Sequence, residues 1–214
     1  TRGSLYGTTY IRGGGSYEVL GLIDNIPISQ PYFWGGSVSI FNAKVAEKVD
    51  FYPGGYDARG GQSLSGIIDV KTKDGNFKNT YTELDVSLTE MNLYREGPVK
   101  KDQSAYLLSF RRTYYDLFAP IFITSESGTV DLPYLQSFQG KYTQKLSDKA
   151  KLRWGYYYFN EGADFPLDLF GSTNIGALRY DSKRHILSSQ LDYTFNDRLF
   201  NQLLVSYYNF NGFF

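Results

Sequence analysis

Lys151-Leu152-Arg153-Trp154-Gly155-Tyr156-Tyr157-Tyr158 is the stretch on which the fold turns. Leu152, Trp154, Tyr156 and Tyr158 fall on one side of an extended chain, and Lys151, Arg153 and Gly155 on the other. Side chains alternate across a strand, so this pattern builds one apolar and one polar face. The pattern repeats on both sides of it. Leu84, Val86 and Leu88 alternate with Glu83, Asp85, Ser87 and Thr89. Tyr106, Leu108 and Phe110 alternate with Ser109 and Arg111, and Phe138, Tyr142 and Leu146 with Gln139, Lys141, Thr143 and Lys145. Leu187, Leu191, Tyr193 and Phe195 alternate with Ser188, Gln190, Asp192 and Thr194. Leu203, Val205 and Tyr207 close the series, with Leu204 and Tyr208 blurring its face assignment.

Such strands have two homes. In a soluble sandwich the apolar faces meet inside; in a membrane barrel they face lipid and the polar faces line a lumen. The polar faces here carry long charges, Arg111, Lys141, Lys145, Lys151 and Arg153. The strands also reach the ~9–11 residues that a tilted membrane strand needs. Connections sort by length: 100–102, 147–149 and 196–198 are tight and polar, whereas 119–134 and 163–182 are long. Short turns on one side and long loops on the other are the barrel arrangement. A parity change between Leu88 and Met91 indicates a further tight hairpin. Seven strands are predicted, at 80–89, 91–99, 104–118, 135–146, 150–161, 183–196 and 199–212. A closed bacterial barrel needs an even number, so more strands are expected elsewhere.

Composition agrees. There are 20 Tyr and 16 Phe against 2 Trp, and tyrosine suits strands and membrane interfaces. No run approaches the ~18 apolar residues of a transmembrane helix. The mean hydropathy of −0.37 is compatible with alternating strands. Lys plus Arg and Asp plus Glu balance at 22 each, so charge points to no nucleic-acid partner. With no cysteine, disulfides and thiolate metal sites are excluded from this chain. No signal peptide is visible, Met91 is the only methionine, and both ends are expected to be truncations.

Residues 1–78 have another texture, with 79–214 carrying the long strands. Ile11 and its neighbours run into the glycines 13–15; strands are predicted at 19–23, 45–52 and 66–72. Asp24-Asn25 and Pro27 close the second of these four segments, Pro53-Gly54-Gly55 the third, and Lys73-Asp74-Gly75-Asn76 the last. The expected fold class is mainly β: a small mixed domain followed by antiparallel strands of an incomplete transmembrane barrel.

These residues resemble a family. Ile11-Arg12-Gly13-Gly14 followed by Val19–Ile28 with Asp24-Asn25-Ile26-Pro27 resembles the R-G-G turn and D-G-V/I-P strand end of the plug domain of TonB-dependent outer-membrane receptors. Val45-Ala46-Glu47-Lys48-Val49 up to Gly54-Gly55 is similar to a second plug motif. Tyr56 through Gly60-Gly61, then Leu64-Ser65-Gly66 to Lys73, resembles a third and fourth. Asn25 stands where the family has glycine, and asparagine tolerates the positive φ required. Pro53 stands where many members have arginine.

The resemblance implies a plug motif formed by Arg12, Gly13, Gly14, Asp24, Glu47, Gly54, Gly55, Gly60, Gly61 and Gly66, with Arg12 and Glu47 at positions that often pair with barrel charges beyond this chain. It implies a transporter in the bacterial outer membrane, taking up a scarce nutrient such as a ferric siderophore or cobalamin. The plug would occlude a barrel of ~22 strands. The implied partners are the lipid bilayer, a small-molecule or metal-chelate ligand, and the TonB complex, through a segment upstream of Thr1. No catalysis, cofactor or resident metal is implied. A signalling receptor of the same family and a passive outer-membrane channel are the alternatives.

Arg111, Tyr157, Phe165 and Phe170 are the candidate ligand contacts, beside the simpler role of wall and loop packing. Tyr156 and Tyr158 read as an aromatic girdle, His185 as a rim residue, and Asp164 and Asp168 as solvated loop carboxylates. An RNA-binding element at Arg12-Gly13-Gly14 is disfavoured by its single copy, and a phosphate loop at residues 13–15 by the lack of a following helix. A glycosidase would need a pair of facing carboxylates, and no convincing pair is found.

Overall fold

The computed structural model describes residues 11, 13, 14, 18–28, 32, 33, 38–40, 42–56, 61, 63–114, 131–166 and 177–213. The chain divides into two units, Thr1–Lys73 and Asp74–Phe214.

The first unit holds β1 (Val19–Ile23), β2 (Ile26–Ile28), β3 (Tyr32–Phe33), β4 (Val38–Ser39), β5 (Ala46–Tyr52) and β6 (Gly66–Thr72). Its main sheet is mixed, in the order β2-β1-β6-β5, with β1 parallel to β6 and the other pairs antiparallel. Ile11, Val19, Ile68 and Val70 form a buried apolar cluster, with Ala46 packed against it. Where the sequence reads Pro27 as a stop, the structure continues as a short strand. Proline lacks an N–H and is tolerated at a sheet edge, and β2 is an edge. Ile11, expected in a strand, lies in none, and Gly13 turns the chain there with φ 77°.

The second unit is one antiparallel sheet, β7 (Tyr81–Val86), β8 (Glu90–Lys100), β9 (Ser104–Thr113), β10 (Asp131–Ser147), β11 (Ala150–Pro166), β12 (Ala177–Asn196) and β13 (Leu199–Phe213), in sequence order. The seven strands occur where predicted, with corrections at the ends. Leu88 is in a turn, because the Ser87 hydroxyl accepts the amides of Thr89 and Glu90 at 3.2 and 3.0 Å and closes the hairpin early. β10, β11 and β12 extend into the stretches predicted as long loops, since ladder pairing continues out to Asp131↔Asp164 and Pro166↔Ala177. At the short end, Ser147 and Asn196 accept the amide two residues on, at 3.2 and 2.9 Å. Both of these hairpins carry a register shift next to the turn, the bulge that increases local twist.

The faces are inverted relative to a water-soluble sheet. Leu84, Val86, Leu93, Leu108, Leu146, Trp154, Tyr156, Leu187, Phe195, Leu203, Val205 and Tyr207 are exposed. Asn92, Ser109, Ser137, Gln139, Lys141, Thr143, Glu161, Ser182, Arg184, Ser188 and Gln190 are buried. Register settles the ambiguous strand: Gln190↔Leu204 and Ile186↔Tyr208 place Leu204 and Tyr208 on the polar face.

The apolar residues form a belt that crosses the ladder obliquely. The row through the middle of the belt on β7 is Asp85↔Asn92↔Arg111↔Ser137↔Phe159↔Arg184↔Phe210. It reaches β13 about seven residues from the middle of that strand's belt, at Leu203, a drift of roughly 23 Å along strands over roughly 29 Å of lateral spacing. The belt is therefore level only if the strands are inclined by roughly 40°, within the range of closed barrels.

Candidate functional site

Two groups of charges stand on the polar face. The first gathers around Asp74, which precedes β7. Its carboxylate accepts from Arg153 Nε at 2.7 Å and Lys151 Nζ at 3.0 Å, and lies 3.5 Å from Lys141 Nζ. Arg153 also pairs with Asp192, which accepts from Gln190 at 2.9 Å and Gln202 at 3.1 Å. Neighbouring strands β10 and β11 thus converge on one carboxylate, and β12 joins through the Arg153–Asp192 pair. Burial on its own would push the Asp74 carboxyl up; the Arg153 hydrogen bond, Lys141 and Lys151 outweigh it and hold the group well below the usual carboxylate range.

The residues after Asp74 follow the same wall. Gly75 has φ 87°, and a Cβ there would stand 2.6 Å from the Tyr106 carbonyl oxygen, so only glycine fits. Asn76 accepts the amides of Lys78 and Asn79, both at 2.9 Å. Phe77 O accepts the Asp102 amide at 3.0 Å, and its ring lies 4.4 Å from Lys145 Nζ.

The second group lies towards the long-loop end. Arg184 donates to Glu161 at 2.7 Å with both side chains buried, Tyr180 donates to the same carboxylate, and the guanidinium lies 5.6 Å from the Phe210 ring. Three strands away on the Arg184 row, Arg111 pairs with Glu90 through two contacts at 2.9 Å. Among the described residues no group of three or more His, Cys, Asp or Glu gathers as a metal site would require.

No family model and no curated protein matches the chain. Solved structures do. The siderophore receptor PirA from Acinetobacter baumannii matches 94% of this chain and 33% of its own, with TM-score 0.67 and 17% identity. The ferric enterobactin receptor PfeA from Pseudomonas aeruginosa, as a double mutant, matches 98% of this chain and 35% of its own, with TM-score 0.64 and 14% identity. A PfeA mutant in complex with enterobactin matches 92% and 34%, with TM-score 0.64 and 16% identity.

The chain has the TonB-dependent receptor fold. It spans about a third of the length of these receptor chains.

Within that fold, the described motif residues occupy definite places. Asp24 and Asn25, with φ 48° and 67°, form the two-residue turn joining β1 to β2, so asparagine does what glycine does elsewhere. Asp24 also accepts the Thr72 amide at 2.9 Å and the Thr72 hydroxyl, tying the turn to the end of β6. Asp24→Ala should lower the protection of the Thr72 amide against hydrogen exchange about thirtyfold, the equivalent of ~2 kcal/mol for buried donors left unpaired. Gly66 is a close approach: a Cβ there would stand 2.6 Å from Ile11 Cδ1 and 2.9 Å from Tyr52 O. Gly14 is similarly confined, 2.6 Å from Ser65 Cβ. Gly54 and Gly55 turn the chain after β5, Gly61 lies in a turn, and Glu47 is exposed beside the bulge between Ala46 and Lys48. Arg12 and Gly60 lie outside the described residues.

Of the candidate ligand contacts, Tyr157 is buried on the polar face and Arg111 is engaged with Glu90. Phe165 falls in β11 and its side chain is not among those described; Phe170 and Asp168 lie outside the described residues. His185, expected at a rim, stands within β12 on the apolar face, 3.0 Å from the Tyr156 hydroxyl and 4.8 Å between ring centres from Tyr158. The Asp74 cluster was not predicted. Its sequence shows a turn at that point and basic residues on distant strands, and nothing local joins the two.

Proposed function

We propose that the chain is part of a TonB-dependent outer-membrane transporter that takes up a scarce nutrient, with residues 1–73 belonging to its plug domain and the seven-stranded sheet to its barrel. One observation carries the location: an exposed apolar belt, inclined by roughly 40° to the strand ladder, on a sheet whose other face holds the buried polar and charged side chains. Lipid is the solvent that favours this arrangement. A metal-chelate ligand of the siderophore class is the reading the solved receptors support, since PirA is a siderophore receptor and PfeA a ferric enterobactin receptor. Polar and cationic groups on the inner face, among them Arg111 and Tyr157, suit such a ligand.

The test is deletion of the full reading frame in its own host, followed by growth on single ferric siderophores and on cobalamin. One substrate should cease to support growth, and its uptake in the parent should stop on adding a protonophore. Uptake that survives the protonophore points instead to a passive channel. Uptake unchanged by the deletion, with loss of a transcriptional response to the ligand, points to a signalling receptor.

A further inference from the structure

The sheet holds the connection that leads out of residues 1–73 more firmly than a linker requires. Asp74 is bound by Arg153, Lys151 and Lys141, and its Oδ1 lies 3.4 Å from the Thr143 hydroxyl. Gly75 lies against the backbone of Tyr106, and Phe77 is held by the Asp102 amide and covered by Lys145. Four successive residues therefore contain three separate attachments, to β9, to the turn between β8 and β9, and to β10 and β11. A connection that only joined two domains would be expected to be polar and loosely held.

We propose that Asp74 is an anchoring residue that fixes the end of this connection to the barrel wall, so that movement of residues 1–73 stops at residue 74. The use of the anchor during uptake rests on the transporter reading above; the anchoring itself does not. A chain drawn from its upstream end needs a fixed downstream end if displacement is to be confined to the plug. A carboxylate shared among cations from two strands resists displacement in several directions, whereas a single pair would pivot.

The experiment uses the full-length receptor reconstituted in phospholipid vesicles, with a nitroxide on a cysteine at exposed position Lys78. The line shape is compared for the parent, Asp74→Asn, Asp74→Glu and Asp192→Asn. The label should be slow in the parent, in Asp74→Glu and in Asp192→Asn, and at least about fivefold faster in Asp74→Asn. Should Asp74→Asn fail to assemble, Lys151→Met removes one cation at a half-exposed position and should give an intermediate rate. A label equally slow in Asp74→Asn and the parent, or equally freed by Asp192→Asn, overturns the proposal. The measurement needs no ligand and no energy source. Its failure leaves the uptake reading standing, and a failed uptake test leaves the anchor standing.

Discussion

Replacing Asp74 by asparagine is expected to destabilise the assembled barrel by about 3 kcal/mol, the range for removing one partner of a largely buried ion pair. The substitution keeps shape and some hydrogen bonding but removes the negative charge that Lys141, Lys151 and Arg153 share, while Arg153 keeps Asp192. Lys141 suffers most, being 5% exposed and unable to recover hydration where it stands. Lys151 is 36% exposed and loses little, which keeps the figure below the largest known for such sites. Asp192→Asn should cost less, about 1 kcal/mol, because Arg153 retains Asp74 and the new amide still meets Gln190 and Gln202. Denaturant unfolding of the full-length protein, refolded into vesicles, measures both.

The pH dependence has a definite sign. The folded-state carboxyl of Asp74 titrates below its unfolded value, so its contribution is present above the unfolded pKa and lost as pH falls through the folded one. The gap between the parent and Asp74→Asn should be constant from about pH 8 to about pH 5 and narrow below about pH 4, towards the strongly acid folded value. A gap that closed near neutrality would assign the effect to another group.

The second large effect is expected on the opposite face. Leu203→Arg should destabilise the vesicle-embedded full-length protein by about 2–4 kcal/mol, the cost of a cation near the middle of the hydrocarbon. Leu203 is 57% exposed, and on a water-facing surface the same change falls within about 0.5 kcal/mol of neutral. Asn209→Arg, on the same face of β13 beyond the end of its apolar run, should cost about 1 kcal/mol or less, because the penalty falls towards the interface. The comparison reads depth, and it separates a lipid-facing belt from an apolar surface awaiting a protein partner.

The alternating strands were legible because their chemistry is local: Trp154 and Arg153 declare opposite faces whatever the rest of the chain does. Strand ends were less so. Ser87 closes its hairpin through side-chain hydrogen bonds that period-two reading does not see, and β10 and β11 pair beyond the stretch where alternation is clear. Pro27 was misread for a related reason, since whether proline ends a strand depends on which side of the sheet it occupies. The motif at Asp24 was legible through its resemblance, and its physics was partly foreseen in the positive φ expected of Asn25; its bond to Thr72, 48 residues away, was not. The Asp74 cluster lies at the far end of that scale. Its partners are up to 79 residues distant, and no spacing rule connects a turn carboxylate with Arg153.

Which face of the sheet meets lipid decides between a barrel wall and a soluble sheet. Single cysteines at positions 186 to 191 of the full-length protein, labelled with bimane and reconstituted in brominated phosphatidylcholine, test this directly. Strong quenching at 187, 189 and 191 with weak quenching at 186, 188 and 190 is the predicted result. Quenching at the even positions, or equally weak quenching at all six, would contradict it.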